Sequence, residues 1–331
     1  MKKIINAPDA FVDETIEGLL AAHPDHLAVV GGDLRVLARR AEKAGRVGIV
    51  TGGGSGHLPL FLGYVGPGLC SAVAIGNVFS SPSAEQMLAA IQAADEGAGV
   101  LCLYGNYGGD VLNFDIACDL ADIEDIPTAT VLGVDDVLSA PRDRADSRRG
   151  VAGLVLAYKV AGAAAAEGRS LEDVAAVTRR AVSRMGTAGV GLSPTILPAA
   201  GQPTFTLPDG EMEIGIGIHG EPGQHRGPLE SADAIADRLF TAVRDDLGLA
   251  DGDRVAVLVN GLGATPLEEL YVVYRRLAAL CADVGVTVER RYVGEYATSL
   301  EMAGASVSVL RVDDELLGLL DAPSYSPLVR F

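Results

Sequence analysis

Tryptophan is absent from the 331 residues, aromatic residues make up only 5%, and 26 Lys and Arg are outnumbered by 44 Asp and Glu. The resulting net charge of −18 would repel a phosphate backbone or an anionic bilayer over most of the surface. Neither nucleic acid nor membrane is therefore an expected partner. Cysteine is sparse: Cys70, Cys102, Cys118 and Cys281 contain no Cys-x-x-Cys pair, and three of them lie in apolar or helical stretches. They read as reduced core residues of a cytoplasmic protein rather than as metal or redox groups. The longest apolar run, residues 150–166, is interrupted by Lys159 and falls short of the ~20 residues that cross a bilayer. The chain turns polar after Ile4 and Ile5, so no export signal is expected.

What is present suits a folded enzyme. Hydrophobic residues reach 49% and glycine counts 41, and at roughly 100–200 residues per domain the length predicts two domains. Val47–Thr51, Ser71–Ile75, Gly99–Tyr104 and Thr128–Leu132 read as strands, separated by helical stretches such as Ser83–Glu96 and Leu112–Asp122. That alternation predicts a largely parallel sheet. Two Ala-rich helices follow, Arg149–Gly168 and Leu171–Met185, the second capped by Ser170. Turn chemistry at Gly186–Gly191 and on to Gly210 then sets the expected boundary between a domain over 1–186 and one over 187–331. The second half predicts strands at Glu213–Ile218, Val255–Val259, Thr287–Tyr292 and Ala305–Val312, with helices at Ala232–Leu247 and Pro266–Ala282. The expected fold class is α/β, two tandem α/β domains with mixed, largely parallel sheets flanked by helices.

Ligands of open α/β sheets bind beyond the carboxyl ends of strands, and three such segments carry chemistry. Thr51-Gly-Gly-Gly-Ser-Gly-His57 offers close backbone approach and an imidazole for proton transfer. It fits neither the phosphate loop ending in Gly-Lys-Ser/Thr nor the Gly-x-Gly-x-x-Gly fingerprint. Tyr104-Gly-Asn-Tyr-Gly-Gly-Asp110 ends in an aspartate that suits a general base or the N-cap of the next helix. Ile214-Gly-Ile-Gly-Ile-His219-Gly-Glu-Pro-Gly223 holds a histidine in a stiff frame. A metal would compete for His57, Asp110, His219 and Glu221, although no i,i+4 histidine pair supports one. Gly54-Ser-Gly56 is no nucleophile elbow, because His57 follows directly.

Taken together with Phe79-Ser-Ser-Pro82, Arg148-Arg-Gly-Val-Ala-Gly153, Val259-Asn-Gly-Leu-Gly-Ala-Thr-Pro266 and Thr298-Ser-Leu300, these motifs resemble the dihydroxyacetone kinase family, in particular its K subunit, in order and over nearly the whole chain. The resemblance implies a kinase half that binds a short ketose. It places ATP or ADP with Mg2+ on a separate helical L subunit, with no cofactor on this chain. Because the chain ends near Phe331 without a helical second module, the L function is expected on another polypeptide, supplied by ATP or by a phosphotransferase relay. By motif, His219 would attack the substrate carbonyl to form a hemiaminal, Asp110 would accept the proton of the terminal hydroxyl, and His57 would bind substrate and assist. Gly54, Ser81 and Gly105 take the substrate-binding positions, no metal is expected on this chain, and a homodimer is implied.

Three positions depart from the family pattern. Gly105 replaces a common lysine, Leu58 an acidic residue after the histidine, and Asn77 the acid of Gly-Glu-x-Phe. A less polar, wider mouth is expected, which keeps a tetrulose such as erythrulose in play beside dihydroxyacetone. Pocket changes of this kind shift preference by roughly 10–200-fold. The alternative is a non-catalytic, ketose-sensing relative that binds a transcription regulator. An isomerase or aldolase would want a Schiff-base lysine in a post-strand loop, and none is evident.

Overall fold

The computed structural model describes residues 2–40 and 44–331. Its first sheet takes β1 (Leu27–Val30), β2 (Asp33–Arg39), β3 (Gly48–Ser55), β4 (Ala72–Val78), β5 (Val100–Gly105) and β6 (Thr128–Gly133) in the order β1-β2-β4-β3-β5-β6. The pairs among β4, β3, β5 and β6 are parallel, and β2 joins β1 and β4 antiparallel. Strands β3 and β5 are buried almost throughout, as apolar strands covered on both faces should be. Around them lie α1 (Phe11–Ala22), α2 (Ala84–Ala94), α3 (Gly108–Ile123), α4 (Leu154–Ala166) and α5 (Leu171–Ser183). Ser83 and Gln86 form a capping box on α2, and Ser170 caps α5 as its sequence predicts.

The second sheet comprises β7 (Met185–Ser193), β8 (Glu211–Ile214), β9 (His225–Pro228), β10 (Arg254–Gly261), β11 (Thr287–Gly294) and β12 (Ala303–Arg311) in the order β11-β10-β12-β7-β8-β9. Helices α6 (Ala232–Leu247), α7 (Leu267–Asp283) and α8 (Asp314–Asp321) complete this half. Two mixed, helix-flanked sheets agree with the expected class. The largely parallel character belongs to the first sheet, however: in the second, β10–β11 is parallel and the other pairs are antiparallel among the described residues.

Three expectations need correction. The stretch 186–191, read as turn chemistry at a boundary, is part of β7, a central strand between β12 and β8. Its glycines serve close packing: a side chain at Gly186 would stand 2.8 Å from Val137, and one at Gly191 2.9 Å from Ile216. Gly52–Gly54, read as a loop, continue β3 and pair with Ala74–Gly76 of β4. The strand expected to reach Ile218 stops at Ile214.

A single apolar cluster crosses the two halves, joining Val155, Leu156 and Tyr158 of α4 to Leu258, Leu310, Leu316 and Leu319. It holds the two sheets in a fixed relation, and the site depends on that relation.

Candidate active site

In the first sheet the chain steps from β3 to β4 on one side and then crosses to β5 on the other. That reversal makes a crevice at the carboxyl ends of the parallel strands, the place where such sheets bind ligands. The segments that leave these strands carry His57, Phe79 to Ser81, and Asn106 to Asp110.

His57 is 1% exposed. Its Nδ1 lies 2.7 Å from the Thr298 carbonyl, which can only accept, so Nδ1 carries the proton and Nε2 presents a lone pair. That Nε2 is buried with no partner among the described residues. Burial, followed by the charge of His219, lowers its pKa to about 3, which keeps the ring neutral as a hydrogen-bond acceptor. Phe79 stacks on it at 4.8 Å and 13°.

Asp110 is the third residue of α3, whose N-cap is Tyr107. The alternative role of N-cap is therefore not the one it fills. Its Oδ1 is buried without a partner among the described residues. Burial raises its pKa to about 6, against a hydrogen bond with Ser81 and the charge of His219. A carboxylate tuned so close to neutrality, with one free oxygen, is equipped to take up a proton.

His219 arrives from the second half. Gly215 and Gly220, at φ of 83° and 86°, turn the segment after β8 in a conformation that favours glycine. Glu221 then accepts from both the backbone N–H and Nδ1 of His219, each at 3.0 Å. With the Nδ1 proton directed at a carboxylate, Nε2 is the ring nitrogen left to meet a ligand. Burial pulls the Glu221 pKa upward, but the bond to His219 and the charges of His219 and Arg149 prevail and bring it to about 2. Arg149 is itself held by Asp136 at 2.9 Å and by the Gly215 carbonyl at 2.9 Å. The rings of Tyr107, His57 and Phe79 surround that of His219 at 4.7, 4.9 and 5.1 Å.

Sequence reasoning gave no role to Phe79, Tyr107 or Arg149 and weighed Glu221 only as a metal ligand. All four lie inside the stretches that carry the family resemblance, Glu221 two residues from His219. Backbone strain marks the same place. Phe61, Phe79 and Leu300 have φ of 66°, 56° and 51°, and a bulky residue there costs about 1–3 kcal/mol. Phe61 and Phe79 pack on His57, and Leu300 donates its N–H to the Gly56 carbonyl.

Gly54 is the next-to-last residue of β3, where a side chain would stand 2.6 Å from the Ser80 nitrogen and 2.9 Å from Phe79 Cα. Its bareness lets the Phe79–Ser81 turn close over the strand. Ser81 reaches Asp110. Gly105 is buried, and Tyr107 fills the space beside it, 3.1 Å from where a Cβ would be. Of the other departures, Asn77 borders a surface depression with Arg35 and Ser81. Leu58 lines a separate cavity of about 360 Å3 against α1, whose lining includes His57 and Gly54 but neither His219 nor Asp110.

A model of the Dak1 domain matches residues 17–328. The chain belongs to the Dak1 family. The K-subunit resemblance within the dihydroxyacetone kinase family thus stands. The dihydroxyacetone-binding subunit of PTS-dependent dihydroxyacetone kinase 1 from Listeria innocua is 47% identical, over 95% of both chains. An L-erythrulose kinase from Pectobacterium atrosepticum is 42% identical across this whole chain, which spans 56% of that protein's length. Among solved Dak1-like structures, the dihydroxyacetone kinase operon co-activator DhaQ superposes with a TM-score of 0.88 at 31% identity, covering 94% of this chain and 96% of that one. The C. freundii dihydroxyacetone kinase in complex with AMP-PNP and Mg2+ superposes with a TM-score of 0.87 at 29% identity, covering 98% of this chain and 60% of that one.

Proposed function

We propose that this chain is the ketose-binding subunit of a dihydroxyacetone-type kinase and that it holds a short ketose, dihydroxyacetone or a tetrulose, as a covalent adduct of His219. The observation that carries the reading is the convergence of His57, Asp110 and His219 on one crevice: a neutral acceptor, a carboxylate raised to about 6 and an imidazole oriented by a carboxylate. Nε2 of His219 attacks the carbonyl carbon and the C=O electron pair moves to oxygen; that oxygen takes a proton from water while Nδ1 passes its own through Glu221 to solvent, so no net proton is gained. The product is a neutral hemiaminal. Glycerol has no carbonyl and forms none. His57 accepts a hydrogen bond from a substrate hydroxyl at Nε2, and Asp110 takes the proton of the terminal hydroxyl as its oxygen attacks the phosphoryl group.

The glycine run offers no nucleotide cradle, because Gly52–Gly54 are committed to pairing with β4. A separate L-type subunit therefore brings ATP or ADP with Mg2+ in this reading, and the end-to-end match to a protein named as a binding subunit supports it. Positioning and electrostatics supply most of the catalysis in such a transfer. Along α3, Leu112, Ile116, Leu120 and Ile123 are exposed, an apolar face suited to a protein partner. We take the working form to be a cytoplasmic homodimer. The co-activator likeness favours a second reading, ketose sensing for a transcription regulator, but a sensor has no use for the tuned carboxylate of Asp110.

The test is a pair of variants. His219→Ala should abolish the adduct density seen in ketose-soaked crystals and weaken ketose binding. Asp110→Asn should keep binding and lose phosphoryl transfer by at least ~100-fold. Near-normal turnover by Asp110→Asn would remove the assigned base.

A further inference from the structure

Strand β5 and helix α3 bracket the loop that leads to Asp110, and each carries a cysteine beyond it. The sulfurs of Cys102 and Cys118 lie 3.8 Å apart. Cys102 is fully buried, whereas Cys118 is partly exposed, so the expectation of a plain core residue fails for Cys118. Hydrogen bonds from the Cys102 thiol and, against the effect of burial, from the Thr128 and Thr130 hydroxyls lower the Cys118 pKa to about 7. Donating to that sulfur, together with burial, pushes Cys102 well above the usual thiol range. Near neutral pH the pair thus offers one accessible thiolate beside one protonated thiol. By contrast, Cys70 and Cys281 are buried, and burial raises both thiols.

We propose that Cys102 and Cys118 are an oxidation site, a dithiol that peroxide closes to an intramolecular disulfide with Cys118 reacting first. The Cys118 thiolate attacks one oxygen of hydrogen peroxide, the O–O bond breaks, and the departing hydroxide takes a proton to leave as water. Cys118 is then a sulfenic acid. The Cys102 sulfur attacks it, the S–O bond breaks, and the hydroxyl leaves as water with the Cys102 proton. Two thiols are oxidised, one peroxide is reduced, and two waters form.

The bond draws the sulfurs from 3.8 Å to about 2.05 Å. The ring it closes contains the whole segment from Leu103 to Ala117, Asp110 included. Phe114, one turn from Asp110, stacks on Tyr104 at 4.0 Å across the same seam, so α3 and β5 move as packed neighbours. If Asp110 is the base assigned above, oxidation slows phosphoryl transfer while ketose binding, anchored on His219 of the other half, persists.

The protein is treated with stoichiometric hydrogen peroxide, its thiols are titrated, and its peptides are mapped by mass spectrometry. The expected result is loss of two of the four thiols, a cross-linked peptide joining Cys102 to Cys118, and recovery with dithiothreitol. Cys102→Ser should stop at a sulfenic acid on Cys118 that dimedone traps, and Cys118→Ser should leave Cys102 reduced. Four surviving thiols, oxidation spread over Cys70 and Cys281, or a cross-link between chains would overturn the site. Thiol mapping needs no activity, so it stands or falls apart from the kinase reading. Turnover with the partner subunit should fall on oxidation and return on reduction, in the wild type but not in Cys102→Ser. Equal turnover of mapped disulfide and dithiol forms would remove the link to Asp110.

Discussion

Asp110 sits where the needs of the proposed reaction and of the fold oppose each other. Its carboxyl shifts from 3.8 to about 6 on folding, chiefly through burial, so between those values the native state holds more protons than the unfolded chain. Stability therefore falls as pH rises through that window, by roughly 3 kcal/mol at 1.36 kcal/mol per unit. Asp110→Asn should accordingly raise the melting temperature at pH 7.5, and the gain should vanish below about pH 4. Calorimetry at the two pH values checks this, and a variant less stable than wild type at pH 7.5 would contradict it. With Asp110 as the proposed base, which acts ionised, kcat should rise with pH through about 6. At this scale the sequence was most informative: His57, Asp110 and His219 lie together as their motifs imply. The aromatic box and the orienting carboxylate were hidden, because a ring packed on His219 gives no pattern in a linear sequence until the fold brings β4, β5 and β8 together.

Among the elements, glycine separates the legible from the illegible. Helix α6 runs over the very span its periodicity predicts, and α2 and α5 begin at their caps. Strand β7 and the glycine half of β3 were read as turns, because glycine marks a bend and a close approach with the same letter. Helix α1 and the hairpin of β1 and β2 were not anticipated. Only Val12 and Ile16 of α1 are buried, and the hairpin strands are largely half-exposed, so the apolar signal is thin. Two substitutions distinguish the kinds of glycine. Gly54→Ala forces the Phe79–Ser81 turn outward and should cost about 1–3 kcal/mol together with most of the turnover. Gly18→Ala in α1 meets nothing within 4 Å and should stabilise by up to ~1 kcal/mol through helix propensity, leaving turnover unchanged. Chemical denaturation and steady-state rates on the two variants check the contrast, and equal effects would refute it.

Over the whole molecule, the two sheets share both a core and a site. We propose dividing the chain by sheet membership, with the first unit ending before β7; the boundary expected at 186–187 falls inside that strand. The cluster running from α4 to α8 and the bonds from Thr298 and Leu300 to the His57 and Gly56 carbonyls tie the units together. Scanning calorimetry should show one cooperative transition, and two well-separated ones would mean the units are stable apart. That tie also brings His219 of one half onto the crevice that holds Asp110 and His57 of the other, the proposed tether beside the proposed base. The central claim is that this junction selects a carbonyl substrate for phosphorylation. Its most direct measurement is transfer from Mg-ATP, with a purified L-type subunit, to dihydroxyacetone, D- and L-erythrulose and glycerol. The account predicts phosphorylation of the ketoses, a tetrulose at least comparably to dihydroxyacetone, and none of glycerol. Glycerol phosphorylated at a similar rate, or no ketose phosphorylated at all, would contradict it.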